Sequence, residues 1–155
     1  MFDYAKYMEM ALEQADIAFE QDEVPVGAVI ISEQGEVLAK AKNIIESTND
    51  VTNHAEIVAI KEASKITAKD GNKRLEGCSL FVTLEPCAMC AQAISLARIS
   101  KLIYGAADEK GGAVENGVRL FNSPTCHHKP EIISGIMEND CSQILKQYFA
   151  GKRRE

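Results

Sequence analysis

The chain opens with a helical pattern of apolar residues and continues with a pattern typical of β-strands. Apolar residues recur every three or four positions over 4–19, which predicts an amphipathic helix that ends before Pro25. Residues 26–31 are almost all apolar and rich in β-branched side chains. Gly35 marks a turn after them, and residues 36–42 return as a second strand, so a hairpin is expected to begin the sheet.

Helical and extended segments alternate through the rest of the chain. The predicted helices lie at 54–70, 86–98 and 140–150, and the predicted strands lie at 79–84, 101–104 and 131–133. Thr52 or Asn53 is suited to cap the first of these helices. Together with the opening hairpin, this order predicts a three-layer α/β/α fold on a mixed central sheet of about five strands.

Composition and length favour a compact enzyme-sized domain. The 155 residues are 46% hydrophobic and 26% charged, and no linker or low-complexity run interrupts them, so we expect one domain spanning residues 1–155. No apolar stretch approaches the ~18 to 20 residues of a membrane span. Residues 1–16 carry acids where a signal peptide would carry basic residues, which predicts a cytoplasmic protein with no membrane partner. The five cysteines are therefore expected to serve burial or metal ligation rather than disulfides.

Two short motifs bring together residue types that bind zinc. They are HAE at 54–56 and PCAMC at 86–90, and both are expected at helix starts. The Cys-x-x-Cys pair alone would also suit half of a structural zinc site, a redox pair or two buried thiols. With the imidazole it leaves one tetrahedral position open for water, as in catalytic zinc sites. We therefore predict one catalytic Zn²⁺ per subunit, held by His54, Cys87 and Cys90.

Glu56 supplies what a catalytic site needs beyond the metal. A bound zinc lowers the pKa of its water from ~16 to about 7, which provides a nucleophile at neutral pH. Glu56 lies two residues from the ligand His54, close enough to take the water's proton and return it to a ring nitrogen and then to a leaving amine. A closed structural site would need a fourth Cys or His instead of a carboxylate. The two motifs together predict zinc-dependent deamination.

Several further motifs extend over nearly the whole chain. They are EVPVGAV at 23–29, Asn43, LEPCAMCA at 84–91, YGAADEKGGA at 104–113 and the ending Tyr148-Phe149 followed by Lys152-Arg153-Arg154. Taken with the metal motifs, they resemble the family of bacterial tRNA-specific adenosine deaminases. The resemblance is closer to this family than to the sister deaminases that share the zinc motifs.

The resemblance implies a cytidine-deaminase-like fold, a homodimer and hydrolysis of the anticodon wobble adenosine to inosine, with an arginine tRNA as substrate. It gives zinc ligation to the three ligands named above and proton transfer to Glu56. Asn43 would hydrogen-bond the flipped nucleoside, and Asp108 and His128 would hold flanking anticodon nucleotides. The family often has Asn where this chain has His127, so the contact made at that position is left open.

The charge distribution bears on a polyanionic substrate. The formal net charge is −6, but residues 96–155 have a net charge of +2 and residues 1–95 a net charge of −8. Basic residues therefore lie toward the later half of the chain. We expect Lys152, Arg153 and Arg154 to contact phosphates of the tRNA anticodon stem-loop. The alternative is that this terminal charge run is only a solvated helix end.

Other readings of the function stay open at the level of sequence. A deaminase of a free nucleobase, nucleoside or nucleotide, such as guanine, cytidine or deoxycytidylate, would share the metal motifs. A zinc-stabilised RNA-binding or partner subunit without turnover is a third possibility, and Glu56 argues against it. Asn43 could be only a turn or cap residue, and Asp108 could serve only local backbone bonding.

Overall fold

A five-stranded mixed sheet forms the centre of the molecule in a computed structural model that describes residues 3–72 and 74–153. Its strands are β1 (Gly27–Ile31), β2 (Val37–Lys42), β3 (Ser79–Leu84), β4 (Lys101–Ala106) and β5 (Glu131–Ser134). The spatial order is β2-β1-β3-β4-β5. β1 runs antiparallel to both β2 and β3, whereas β3, β4 and β5 are mutually parallel. The expected mixed sheet is confirmed.

Helices cover both faces of the sheet. They are α1 (Tyr4–Glu20), α2 (Ile45–Thr48), α3 (Ala55–Ala68), α4 (Ala88–Ala97) and α5 (Glu138–Arg153), with a 3₁₀ turn at Leu120–Asn122. α1 and α5 pack on one face, and α3 and α4 pack on the other. Each face has its own hydrophobic core. In β1, Val29 packs in the core under α1 and α5, and Ala28 and Ile30 pack in the core under α3 and α4, because side chains alternate along a strand. The three-layer α/β/α fold is therefore confirmed.

Two glycines let the first layer approach the sheet closely. A Cβ atom at Gly27 would lie 1.8 Å from the carbonyl oxygen of Ala11, so α1 rests directly on the backbone of β1. A Cβ at Gly105 would lie 2.3 Å from Cys141 Sγ, so α5 packs against β4 in the same way. Because Cys141 fills this contact and has no exposed surface, its thiol is part of the core. All five cysteines are free thiols.

The strand directions bring the chemically important segments to one edge of the sheet. β3 and β4 are parallel, with Leu84 paired to Ala106, so the segments that follow both strands leave at the same edge. β1 begins and β2 ends at this edge, because Gly27 pairs with Lys42 and both strands of that hairpin are antiparallel. The residues just before β1 and just after β2, β3 and β4 therefore lie close together.

The structure also changes some local predictions. The cap assigned to Thr52 or Asn53 is wrong: His54 itself occupies the N-cap position of α3, and Thr52 instead donates from its backbone N–H to Asp50. The four-residue helix α2 and the 3₁₀ turn were not predicted, since segments this short show no hydrophobic period. Among the described residues, no helix has both the length and the apolar character that crossing a bilayer requires.

Candidate metal centre

Three potential metal ligands converge at the starts of α3 and α4. His54 Nδ1 lies 3.6 Å from Cys87 Sγ and 3.6 Å from Cys90 Sγ. All three ligand atoms lie within 4.8 Å of one another. In a tetrahedral zinc site with bonds of ~2.3 Å to sulfur and ~2.0 Å to nitrogen, these atoms would be about 3.5 Å apart. The spacing and the chemistry of the donors therefore fit zinc, and the structure brings together all three residues predicted as ligands.

The pKa values of the two thiols are shifted in opposite directions. The hydrogen bond from Cys90, together with the neighbouring His54, lowers the pKa of Cys87 to about 4. The same hydrogen bond and burial raise the pKa of Cys90. One thiolate therefore forms easily, and a second beside it requires a cation to offset the repulsion. Such a pair is suited to bind a divalent metal and lose both protons.

Glu56 lies beside the ligand group without belonging to it. The residue is in the first turn of α3 and only 4% exposed. Burial raises the pKa of its carboxyl group to about 7, against an opposing influence from its own backbone N–H and from His54. Its carboxyl also interacts with the Cys90 thiol. A buried carboxyl group that can hold or release a proton near neutral pH is what a proton shuttle requires.

Asn43 connects the end of β2 to the start of α3. Its Oδ1 accepts a 2.8 Å hydrogen bond from the backbone N–H of Ala55, the first residue of α3. This bond satisfies a free N–H group at the helix start, next to His54. The capping alternative for Asn43 is thus part of its role. Its amide nitrogen makes no hydrogen bond within the described part of the chain, and substrate contact stays a prediction.

Two buried carboxylates near the site were missed by sequence reasoning. Glu23 is 1% exposed and accepts hydrogen bonds from the backbone N–H groups of Glu46 and Ser47, at 2.9 and 2.8 Å. It thereby holds α2, which follows Asn43. Glu85 is 2% exposed and accepts five hydrogen bonds from the loop after β4. The sequence feature that could have revealed them is an acidic residue close to a proline at the end of a buried strand. Glu23 lies two residues before Pro25, ahead of β1, and Glu85 lies directly before Pro86, after β3.

Asp108 lies in the loop that follows β4, at the same sheet edge as the predicted metal ligands. Its Oδ1 accepts hydrogen bonds from the backbone N–H groups of Lys110 and Gly111, at 3.2 and 3.0 Å. The local bonding expected for Asp in such a loop is therefore present. Oδ2 makes no hydrogen bond within the described residues. Contact with a nucleotide is not tested by this geometry and stays a prediction.

The segment Cys126-His127-His128 lies against the C-terminal part of α4. His128 donates from Nε2 to the carbonyl oxygen of Ile99 at 2.7 Å, and its own carbonyl accepts from Ser95 Oγ at 2.7 Å. His127 is exposed. Neither histidine joins the metal-binding group among the described residues. These contacts hold the loop in place, and an RNA contact by His128 stays a prediction that would use the other side of the ring.

The basic C-terminus is described only in part. Lys152 Nζ lies 2.5 Å from Asp22 Oδ1 and 5.6 Å from the centre of the Tyr148 ring. Arg153 is the last residue of α5, and Arg154 lies outside the described residues. Lys152 therefore joins the end of α5 to the loop between α1 and β1.

An open cavity of about 840 Å³ lies between α5 and the loop at 107–116, which we call the Asp108 loop. Its apolar wall includes Leu84, Ala106, Leu145 and Phe149. Its rim carries Asp108 and the lysines Lys110, Lys146 and Lys152. An aromatic ring among apolar side chains with cations around it is an arrangement suited to nucleobases and phosphates.

Comparisons with known proteins find similarity to deaminases over almost the whole chain. A model of the MafB19-like deaminase family matches residues 2–153. The tRNA-specific adenosine deaminase of Agrobacterium fabrum is 52% identical over 153 residues, covering 99% of this chain and 98% of the relative. That of Bacillus subtilis is 40% identical over 149 residues, covering 96% and 90%.

Solved structures of deaminases share this fold. A structure from a study of A-to-I editing by tRNA:A34 deaminases at the wobble position superposes with a TM-score of 0.86 at 53% identity, covering 90% of this chain and 99% of that one. The guanine deaminase of Nitrosomonas europaea shares the fold at 20% identity, with a TM-score of 0.73 over 94% of this chain and 84% of that one. This chain therefore belongs to the MafB19-like deaminases and to the family of tRNA-specific adenosine deaminases.

Proposed function

We propose that this protein hydrolyses the wobble adenosine of a tRNA anticodon loop to inosine and releases ammonia, in a single domain that holds one zinc ion. The observation that carries the proposal is the buried carboxyl group of Glu56 beside the convergent His54, Cys87 and Cys90. The tRNA-specific relatives, at up to 52% identity over almost the full chain, support the substrate. An arginine tRNA is the proposed species.

The protein groups have separate tasks in this reaction. His54, Cys87 and Cys90 would hold zinc, which when bound makes water a nucleophile near neutral pH. Glu56 accepts a proton from the attacking water and delivers it to N1 of the purine as C6 becomes tetrahedral. The same carboxylate then takes the second proton from the hydroxyl group now on C6 and passes it to the exocyclic amine. Ammonia leaves, and C6 keeps the oxygen as the carbonyl of inosine.

The adenosine must leave its stack to reach Glu56, and a single-stranded anticodon loop allows this at the lowest cost. We propose that the amide nitrogen of Asn43 donates a hydrogen bond to the flipped nucleoside. The bond from Ala55 to Asn43 Oδ1 supports this role, because it fixes the side chain at the helix that carries Glu56. Glu23 contributes by holding α2, which begins two residues after Asn43.

The remaining RNA contacts are proposed on the cavity between the Asp108 loop and α5. Phe149 and its apolar neighbours provide a surface for flanking bases, with Asp108 at its rim. His128 lies outside this cavity, against the C-terminal part of α4, and its proposed nucleotide contact would be made there. Lys152, Arg153 and Arg154 would contact phosphates. Lys152 is paired with Asp22 at the described end of α5, so a phosphate would replace this carboxylate as its partner.

A homodimer is also part of the proposal. Met89 and Leu96 are seven positions apart on α4, so they share one face of the helix, and they are 37% and 64% exposed. Apolar side chains on the outer face of a metal-site helix are suited to a subunit interface. Sedimentation should show a dimer for the wild type and a monomer for Leu96→Glu.

Because tRNA is the proposed substrate, we also propose that the protein acts in the cytoplasm.

The test compares substrates. Zinc-loaded protein is incubated with an anticodon stem-loop of arginine tRNA, the same stem-loop with guanosine at the wobble position, and free adenosine, cytidine, deoxycytidylate and guanine. We expect inosine only at the wobble position of the first RNA. Efficient turnover of a free base, nucleoside or nucleotide with no reaction on RNA would replace this proposal with the free-substrate alternative. Zinc-bound protein that binds RNA without turnover would indicate an RNA-binding subunit.

A further inference from the structure

The carboxylate of Glu85 is the meeting point of two segments at the active edge of the sheet. It lies between β3 and Cys87, and it is 2% exposed. Oε1 accepts from the Asp108 backbone N–H at 3.0 Å and from Asn116 Nδ2 at 2.7 Å. Oε2 accepts from the backbone N–H groups of Val114, Glu115 and Asn116, at 3.0, 2.9 and 3.1 Å.

The loop at 107–116 is shaped around this carboxylate. A Cβ atom at Gly112 would lie 2.5 Å from Glu85 Cδ and 2.5 Å from the Asp108 carbonyl oxygen, so only glycine allows the loop to close there. The next residue, Ala113, donates its backbone N–H to the Pro86 carbonyl at 2.9 Å. The loop is thus attached to the short segment that leads into the metal ligands.

The site specifically requires a carboxylate. Four backbone N–H groups and one side-chain amide all point at two oxygens, and an ionised carboxylate offers about four acceptor positions and no donor. A glutamine at this position would keep the shape but turn an NH₂ group toward N–H donors. At least one end of the loop would then lose its anchor.

We propose that Glu85 is a positioning residue that sets the Asp108 loop relative to the metal-ligand helix and thereby determines how tightly the RNA substrate is bound. This rests on the proposed function, in which the Asp108 loop faces the flanking nucleotides. Cys87 follows Glu85 by two residues, so one anchor serves both the start of α4 and the loop. A loop already held in its binding conformation loses less entropy when RNA binds.

The first test compares Glu85→Gln with Glu109→Gln. Both variants remove one negative charge, but Glu109 is exposed in the same loop and its side chain makes no hydrogen bond among the described residues. In Glu85→Gln we expect faster amide hydrogen exchange in peptides covering 107–116. KM for the stem-loop should rise by about tenfold or more, with a much smaller change in kcat expressed per bound zinc. Glu109→Gln should match the wild type.

A double-mutant cycle tests whether Glu85 acts through the loop. In an Asp108→Ala background, Glu85→Gln should raise KM by much less than it does alone, because the contact that it positions is already gone. Asn116→Ala, which removes only one of the five bonds, should give a smaller rise of the same sign. This variant also carries the test if Glu85→Gln does not fold.

These measurements distinguish a failure of the Glu85 proposal from a failure of the proposed function. Unchanged amide hydrogen exchange at 107–116 in Glu85→Gln would overturn the positioning role of Glu85, whatever the activity. Additive effects with Asp108→Ala, or a KM equal to that of Glu109→Gln, would also overturn it. General destabilisation would lower the zinc content and the active fraction without raising KM. Wild-type protein that fails to deaminate the stem-loop would instead contradict the proposed function.

Discussion

The candidate metal centre and the cationic end of α5 lie at the same edge of the sheet, but polar side chains are buried in the first and exposed to water in the second. At the metal centre, Cys90 has no exposed surface and Glu56 is 4% exposed. On α5, Lys146 is exposed and the Lys152 side chain keeps 37% of its surface in water. Burying convergent polar groups is costly and requires compensation by a metal or by hydrogen bonds, whereas solvated cations cost little until a polyanion arrives. Substitutions at the candidate metal centre should therefore abolish activity, whereas substitutions at the end of α5 should weaken RNA binding gradually.

Cys90→Ala should give the largest effect. We expect loss of zinc and of detectable deamination, because one thiolate and one imidazole cannot hold the ion. The melting temperature should also fall, since zinc at a thousandfold above its dissociation constant stabilises the folded state by about 4 kcal/mol. Metal analysis, an inosine assay and thermal melting check this. Cys78→Ala, at a buried thiol outside the ligand group, is the control and should retain zinc.

Glu56→Gln should separate chemistry from metal binding. The change keeps the shape of the side chain and all three ligands, so zinc and the fold should remain while kcat falls by ~10²–10⁴ or more. Single-turnover inosine formation and metal analysis measure the two quantities on the same sample. Loss of zinc in parallel with activity would place Glu56 in the ligand set and contradict its assignment as the proton shuttle.

Glu23 and Asp22 repeat the comparison within two residues, one buried and one exposed. Burial alone would raise the pKa of Glu23, but hydrogen bonds from the N–H groups of Glu46 and Ser47 bring it below its usual 4.5. A carboxyl group with a lowered folded-state pKa stabilises the protein above the unfolded pKa, and this stability is lost as the pH falls through the folded pKa. Glu23→Gln should therefore cost about 1.5–3 kcal/mol near neutral pH.

Denaturant unfolding across pH checks this prediction. The difference between wild type and Glu23→Gln should shrink as the pH falls below about 4.5, the usual value for the carboxyl group. Glu20→Gln changes an exposed carboxylate at the end of α1 and should leave the free energy of unfolding almost unchanged. A constant difference down to acidic pH would show that Glu23 contributes through packing and not through its charge.

Neutralising Lys152, Arg153 and Arg154 together should have the smallest and most graded effect. If each contacts one phosphate of the single-stranded loop, the log-log salt slope of RNA binding should flatten by about 2. Zinc content should not change, and neither should kcat at saturating RNA, because these cations contribute uniform binding. Filter binding at several salt concentrations measures the slope.

A matched triple variant at Lys61, Lys65 and Lys69, three exposed lysines on α3 and at its C-cap, controls for net charge. It removes the same charge from the opposite layer of the molecule. Equal flattening in both triple variants would mean that the terminal cations act only through the overall field. An unchanged slope in the first variant would confirm the solvated helix end as the better interpretation of Lys152, Arg153 and Arg154.

The order of helices and strands and the three residues of the candidate metal-binding group could be predicted because both depend on local information. The hydrophobic period predicts each longer element, and imidazole and thiolate are chemically distinctive wherever they lie. The burial of Glu23 and Glu85 could not be predicted in the same way. A carboxylate is usually a surface residue, and only the tertiary arrangement of backbone N–H groups around these two makes burial favourable.

The sequence by itself therefore determined the fold class, the residues of the candidate metal-binding group and the family, since these follow from residue types and their spacing. Tertiary structure decided which atoms meet. Antiparallel and parallel pairing bring the ends of β2, β3 and β4 to one edge, so Asn43 reaches Ala55 and the Asp108 loop reaches Glu85. These contacts join residues far apart in the chain, and their hydrogen bonds form only when burial excludes water as the competing partner.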